Sequence, residues 1–290
     1  MSSSIFMHIP KTAGSTLRTL ITSNYESCQV LSLYGSDHKV LTNATAHVGK
    51  LGDYKLIQGH VPYGIHRFLG LRTARYFTFM RDPVERFISD VAMGIRHEPH
   101  GFHQILAAPG LTYEQRLDKA LELIYYRNNI TQYFSGSFFT EEISMNLLNA
   151  AIDNLWSSEF IGFTDDFEAS MLIMAKKLGW HRIIPQKSNV RPDGAPLLST
   201  ELHARVKKEL AYDYALYTVA QEHYSICKRQ YGVLLIEAAD QLSELIRKQS
   251  AEHPQAQFGT YLVGQPMKVP LDDYDNLIVP GSPLARWLSV

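Results

Sequence analysis

The chain has 290 residues, is 45% hydrophobic and carries a formal net charge of -1, values that fit one large globular domain or one domain with a small extension. Near-neutral charge excludes a general electrostatic attraction to nucleic acid or anionic membrane, so any anion recognition must be local. Cys28 and Cys227 are the only cysteines, which rules out a disulfide scaffold and suits a reducing compartment.

No stretch approaches the ~18 consecutive apolar residues of a membrane span, so no membrane insertion is expected. Met1 to Phe6 has no basic n-region and no long apolar run, so no signal peptide is expected either. Asn43-Ala44-Thr45 and Asn129-Ile130-Thr131 match the glycosylation sequon and read as chance matches. The expected location is cytoplasmic, and neither nucleic acid nor membrane is expected as a partner.

Residues 5–9 read as a short buried strand ending at Pro10, 11–15 as a turn of small residues, and 16–22 as the opening of a helix. A strand, a Gly-containing turn and a helix in that order form a βα unit whose helix N-terminus can hold an anion. Residues 55–58 are a second strand, ending in Gly59-His60. Residues 75–80, rich in aromatics, are a third, ending at Arg81-Asp82-Pro83. Pro83 suits the first turn of a following helix, and Asp82 suits its N-cap.

Residues 140–155 and 165–178 have helical apolar spacing, with a strand at Phe160–Phe163 between them. From Ser199 the chain reads as helices: Leu202, Val206 and Leu210 share one face, and Tyr217, Tyr224 and Tyr231 form a stripe that reads as core. The predicted fold is α/β, a P-loop-like, mainly parallel sheet flanked by helices with a helical C-terminal part. Residues 1–250 form the expected domain and 251–290 an extended C-terminal tail that wraps the domain or stays mobile.

The most informative stretch is His8-Ile9-Pro10-Lys11-Thr12-Ala13-Gly14-Ser15-Thr16. Its small residues let backbone N–H groups approach an anion, the lysine adds a point charge, and the hydroxyls add donors. The order is wrong for a Walker A loop, in which Gly-Lys precedes Ser or Thr; here Lys11 precedes Gly14. That disfavours a nucleotide kinase or ATPase. The segment resembles the 5′-phosphosulfate loop of sulfotransferases that use PAPS (3′-phosphoadenosine 5′-phosphosulfate), with the flavour of the carbohydrate branch that includes heparan sulfate 2-O-sulfotransferase. The resemblance implies that Lys11 holds the 5′-phosphate and the bridging oxygen, with Thr12, Ala13, Gly14, Ser15 and Thr16 supplying the rest of the cradle.

Phe79-Met80-Arg81-Asp82-Pro83-Val84-Glu85-Arg86-Phe87-Ile88-Ser89 is similar to the same family's 3′-phosphate motif. An arginine at a strand end offers a planar fork to a phosphate, and Ser89 lies about two turns into the following helix. Arg81 and Ser89 are the expected 3′-phosphate ligands; Asp82 is expected to cap the helix, and Arg86 to pair with Glu85 or face the surface. Glu159 to Phe167 resembles the family's segment near the adenosine. Lys187-Ser188-Asn189-Val190-Arg191 resembles the loop that closes over the donor, with Lys187 and Arg191 assisting the phosphates.

Sulfuryl transfer needs an aligned acceptor oxygen, a base for its proton and positive charge on the leaving phosphate, and positioning with charge stabilisation can do most of that work. No metal is expected. His60 is the expected base: an imidazole with pKa near ~6.5 suits proton abstraction at neutral pH, and the heparan enzyme places its catalytic histidine in a Gly-His-Val context here. The family often shows His-Gly-His, whereas this chain has Gln58 at the first position. His8 reads as structural, and His66 and Arg67 as surface. His97, His100 and His103 lie in a loop whose spacing does not put them on one helix face, and a metal site there is disfavoured.

The acceptor is expected to be a carbohydrate or small-molecule alcohol; residues 96–156 carry no dense Lys/Arg cluster, which argues against a highly anionic one. Two other classes stay open at this stage: a phosphotransferase with a variant P-loop, and a non-catalytic nucleotide-binding protein of the same fold.

Overall fold

The computed structural model describes residues 3–35, 37–49, 51, 54–96, 104–137, 143–183, 198–252 and 278–289. Five strands, β1 (Ser3–Met7), β2 (Val30–Leu33), β3 (Leu56–Gly59), β4 (Ala74–Met80) and β5 (Phe160–Phe163), form one sheet in the order β2-β3-β1-β4-β5. Every pairing is parallel. A parallel sheet covered on both faces needs nearly continuous apolar strands, and all four residues of β3 and of β5 are buried. The expected α/β class with a helical C-terminal part is therefore the observed one.

The helices are α1 (Gly14–Asn24), α2 (Asp37–Ala46), α3 (Ile65–Phe68), α4 (Pro83–Arg96), α5 (Tyr113–Leu121), α6 (Asn129–Ser135), α7 (Met145–Trp156), α8 (Phe167–Leu178), α9 (Thr200–Glu209), α10 (Ala211–Arg229), α11 (Gly232–Glu252) and α12 (Pro283–Ser289). Sequence chemistry accounts for several boundaries. Asp82 Oδ1 accepts from the backbone N–H groups of Val84 and Glu85, both at 3.0 Å, and so caps α4 as expected. Thr112 and Gln115 close a reciprocal capping box on α5. Ser144 caps α7 through Leu147 N, which starts that helix at Met145, inside the predicted 140–155.

Two apolar cores result among the described residues. The larger surrounds the sheet and includes Ile5, Phe77, Phe160, Leu172, Leu216 and Trp287. The smaller joins α4, α5 and α9 through Phe87, Val91, Leu117, Leu202, Val206 and Leu210, so the predicted stripe of α9 does face a core. Tyr217 and Tyr224 are also core, and their hydroxyls donate to Asp165 Oδ2 at 3.2 Å and Asp166 Oδ2 at 2.8 Å.

Of the expected tail, residues 251–252 and 278–289 are described. Within it α12 is helical and docks on α11: Leu284 and Trp287 are buried, and Leu284 N–H donates to Gln241 Oε1 at 2.9 Å. The α11 helix itself runs through position 250. None of the helices among the described residues is long and apolar enough to cross a membrane.

Candidate functional site

In an open parallel sheet the ligand crevice lies outside the carboxyl ends of the strands, and among the described residues the predicted turn 11–16, His60 and Arg81 follow those ends. β1 occupies the centre, with β3 on one side and β4 on the other. Met7 is opposite Gly59, and the ladder continues one step as His8 N–H donates to Gly59 O at 2.9 Å. On the other side the Thr78 hydroxyl donates to Met7 O at 2.6 Å. The chain thus leaves β1 into residues 8–16 with His60 on one flank and Arg81 on the other. On its other side Gly59 lets β2 approach: a Cβ there would stand 2.0 Å from Leu33 O.

The turn itself is strained. Lys11 and Ala13 adopt φ of 69° and 63°, left-handed values that L side chains disfavour. In such alternations successive N–H groups turn toward one concavity, the geometry of anion nests, and here the turn leads into the N-terminus of α1. Thr12 is fully buried and its hydroxyl donates to Ile9 O at 2.8 Å, so its side chain braces the turn. Ala13 is the N-cap of α1 and offers no side-chain acceptor to the first N–H groups. Gly14, Ser15 and Thr16 form the first turn, which holds no acidic residue to compete with an anion. Strain of this kind concentrates at functional sites. Ala13→Gly is expected to raise unfolding stability by about 0.5–1 kcal/mol, relief of the left-handed penalty less the added freedom of the unfolded chain; chemical denaturation measures this, and a loss of stability would refute it.

Lys11 Nζ lies 3.5 Å from Met93 Sδ on α4. Met93 is four residues beyond Ser89, so the two share a helix face, and the lysine brings the turn over the face that carries Ser89. Arg81 Nη2 instead meets Glu85 Oε2 at 2.9 Å, both side chains part-exposed. An exposed pair at this spacing contributes little, and an incoming phosphate would compete with Glu85 for the guanidinium.

Arg86 does not behave as predicted. It is fully buried and its Nη1 meets Asp90 Oδ2, also fully buried, at 3.1 Å; Glu85 takes Arg81 as partner. The inward face of α4 carries Phe87, Val91 and Asp90, and the fourfold spacing of Arg86 from Asp90 places both charges on that face. His66 also departs from its predicted surface position: it is buried, with Nδ1 2.8 Å from Tyr76 Oη, whereas Arg67 is exposed. Lys187, Arg191 and the His97, His100 and His103 segment lie outside the described residues.

His60 sits beside the turn. Its Nδ1 is 2.8 Å from His8 O; a carbonyl only accepts, so Nδ1 carries the hydrogen and, in the neutral ring, Nε2 carries the lone pair. Burial is the main influence holding the His60 pKa below its ordinary 6.5, with Arg18 acting the same way; the His8 hydrogen bond and Asp90 oppose them. Two further residues join it that sequence reasoning placed elsewhere or missed. The ring of His8 lies 4.4 Å from that of His60, and Tyr34, which follows β2, lies 5.0 Å from it edge-on. Tyr34 Oη is 3.1 Å from His8 Nδ1, and Arg18 of α1 stacks 4.6 Å over the Tyr34 ring. Val30-Leu31-Ser32-Leu33-Tyr34 before Gly35 was the available signal for β2 and hence for Tyr34.

Burial is also the leading cause that lowers the pKa values of His8, His66 and His223. In the unfolded chain these histidines take up protons near 6.5, and in the fold only at lower pH. Their contribution is whole above pH 6.5 and is lost as pH falls through 6.5 toward the lower folded values. The melting temperature should therefore drop between pH 7.5 and 5.5, a flat or rising profile being the contrary result; His223→Gln, remote from the turn, should lessen the slope.

No protein-family model and no curated protein sequence matches the chain.

Proposed function

We propose that the chain is a PAPS-dependent O-sulfotransferase, with a carbohydrate or small-molecule alcohol as acceptor. The observation that carries the reading is the juxtaposition at the centre of the sheet: an anion nest held by left-handed Lys11 and Ala13, beside an imidazole whose lone pair is fixed on Nε2. Neither feature alone specifies the reaction. Together they match an anionic leaving group and a hydroxyl that must lose a proton.

The residues fit the donor. The nest and the α1 N-terminus suit a phosphosulfate, and Lys11 adds a cation without fixing orientation. Arg81 and Ser89 suit a second phosphate, Ser89 lying on the α4 face that Lys11 reaches. PAPS when bound supplies the sulfuryl group, which passes to the acceptor oxygen as its bond to the 5′-phosphate breaks. His60 Nε2 receives the acceptor proton while Nδ1–H stays on the His8 carbonyl, so the ring keeps its orientation as it becomes cationic. Lys11 offsets the charge gained by the departing phosphate. A base with a depressed pKa stays unprotonated below pH 6.5, so the acid limb of the kcat/KM profile belongs below that value.

Binding of 3′,5′-ADP (adenosine 3′,5′-bisphosphate) tests the donor half by calorimetry in EDTA. Tight magnesium-independent binding supports it; strictly magnesium-dependent ATP binding with none of 3′,5′-ADP would establish a phosphotransferase instead. Arg81→Ala should weaken 3′,5′-ADP by about 1.5–3 kcal/mol, the worth of a hydrogen bond to a charged group, and unchanged affinity would remove Arg81 from the site.

A further inference from the structure

His8 touches three parts of the site at once. Its carbonyl accepts from His60 Nδ1–H at 2.8 Å. Its ring occupies the space that a side chain at position 14 would fill, since a Cβ on Gly14 would fall 1.5 Å from His8 Nε2. Its Nδ1 is 3.1 Å from Tyr34 Oη, and the ring is almost wholly buried. A buried imidazole nitrogen needs a partner, and Tyr34 supplies one from just beyond the end of β2, two places along the sheet. Tyr34 is itself held from the other side by Arg18.

We propose that His8 is a positioning residue that joins the anion turn to the base, with Tyr34 holding its ring against Gly14 while its carbonyl fixes the His60 tautomer. This rests on the reading of His60 as base. The ring acts as a wedge with a restraint on each side: Gly14 admits it and the Tyr34 hydroxyl keeps it from rotating. Release of the wedge opens the space beside His60 to water, and desolvation is what chiefly depresses that ring's proton affinity. The charged and titratable groups that bear on His60 are His8 just after β1, Tyr34 after β2, Arg18 on α1 and Asp90 on α4, while Lys11 of the turn bears on His8. The substitutions below remove none of the charged groups.

Long-range proton–nitrogen NMR on the full chain labelled with ¹⁵N-histidine tests this without any ligand. Wild type should show His60 protonated on Nδ1 and titrating below 6.5. Tyr34→Phe, which keeps the ring against Arg18 and His60, and Gly14→Ala, which pushes the wedge from the opposite side, should each raise the His60 midpoint by about half a unit or more and mix its tautomers. The rise should reappear in the acid limb of turnover. If either variant, folded by circular dichroism, leaves midpoint and tautomer at the wild-type values, the joint is overturned. Failure of 3′,5′-ADP to bind would instead strike the donor reading, and these spectra do not depend on it.

Discussion

His60→Ala should lower kcat by roughly 10²- to 10⁴-fold, the usual worth of a general base, while 3′,5′-ADP affinity stays within about twofold. The split follows from the geometry. His60 meets the turn through the carbonyl of His8, and in the proposed reaction its Nε2 takes the acceptor proton, so its loss should remove a proton acceptor and leave the turn and Lys11 in place. Single-turnover measurement with an acceptor found by screening sugars, oligosaccharides and small alcohols for 3′,5′-ADP release is the direct check. Full activity in the variant would show that another group, or solvent, takes the proton. A matching loss of 3′,5′-ADP affinity would instead place His60 among the donor ligands.

Asp90→Ala should cost about 3–5 kcal/mol of unfolding free energy, because it strands the Arg86 guanidinium in a fully buried site. Arg86 Nε and Nη2 have no hydrogen-bond partner among the described residues, so little else there can take over from Asp90. Asp213, also buried, stabilises by charge alone at longer range. The double variant Arg86→Met with Asp90→Leu removes both charges and should recover most of the loss, since apolar replacements of buried pairs are often neutral or better. Urea denaturation of the three proteins decides the matter, and an Asp90→Ala loss under about 1 kcal/mol would show that water or Asp213 already compensates the guanidinium.

The pattern of what could be read from sequence has physical causes. β1, β3, β4 and β5 were legible as short strand-like runs, the first three closed by Pro10, Gly59-His60 and Arg81-Asp82-Pro83, and the turn after β1 stood out as small residues and a cation in a short stretch. β2 is a four-residue edge strand with an exposed Ser32 in its middle, too short and too polar to stand out from a loop. Tyr34 was lost with it. The role of His8 was hidden for a different reason: its partners are 26 and 52 residues away and meet it only through parallel pairing. Arg86 misled because its neighbour Glu85 offered a nearer partner in sequence than Asp90, and only packing tells which face of α4 points inward.

Asp82 caps α4 with one oxygen and with the other accepts the Tyr214 hydroxyl from α10 at 3.0 Å. Asp165 and Asp166, at the end of β5, are held by Tyr217 and Tyr224 of that same helix. During synthesis, then, the strand ends that carry half of the crevice emerge well before the helix that clasps them. A nascent chain stopped short of α10 would have its sheet and its anion turn but three carboxylates without their tyrosine partners. Closing contacts at such sequence distance is slow, so the clasp of Tyr214, Tyr217 and Tyr224 on these strand ends should be among the last features the folding chain acquires.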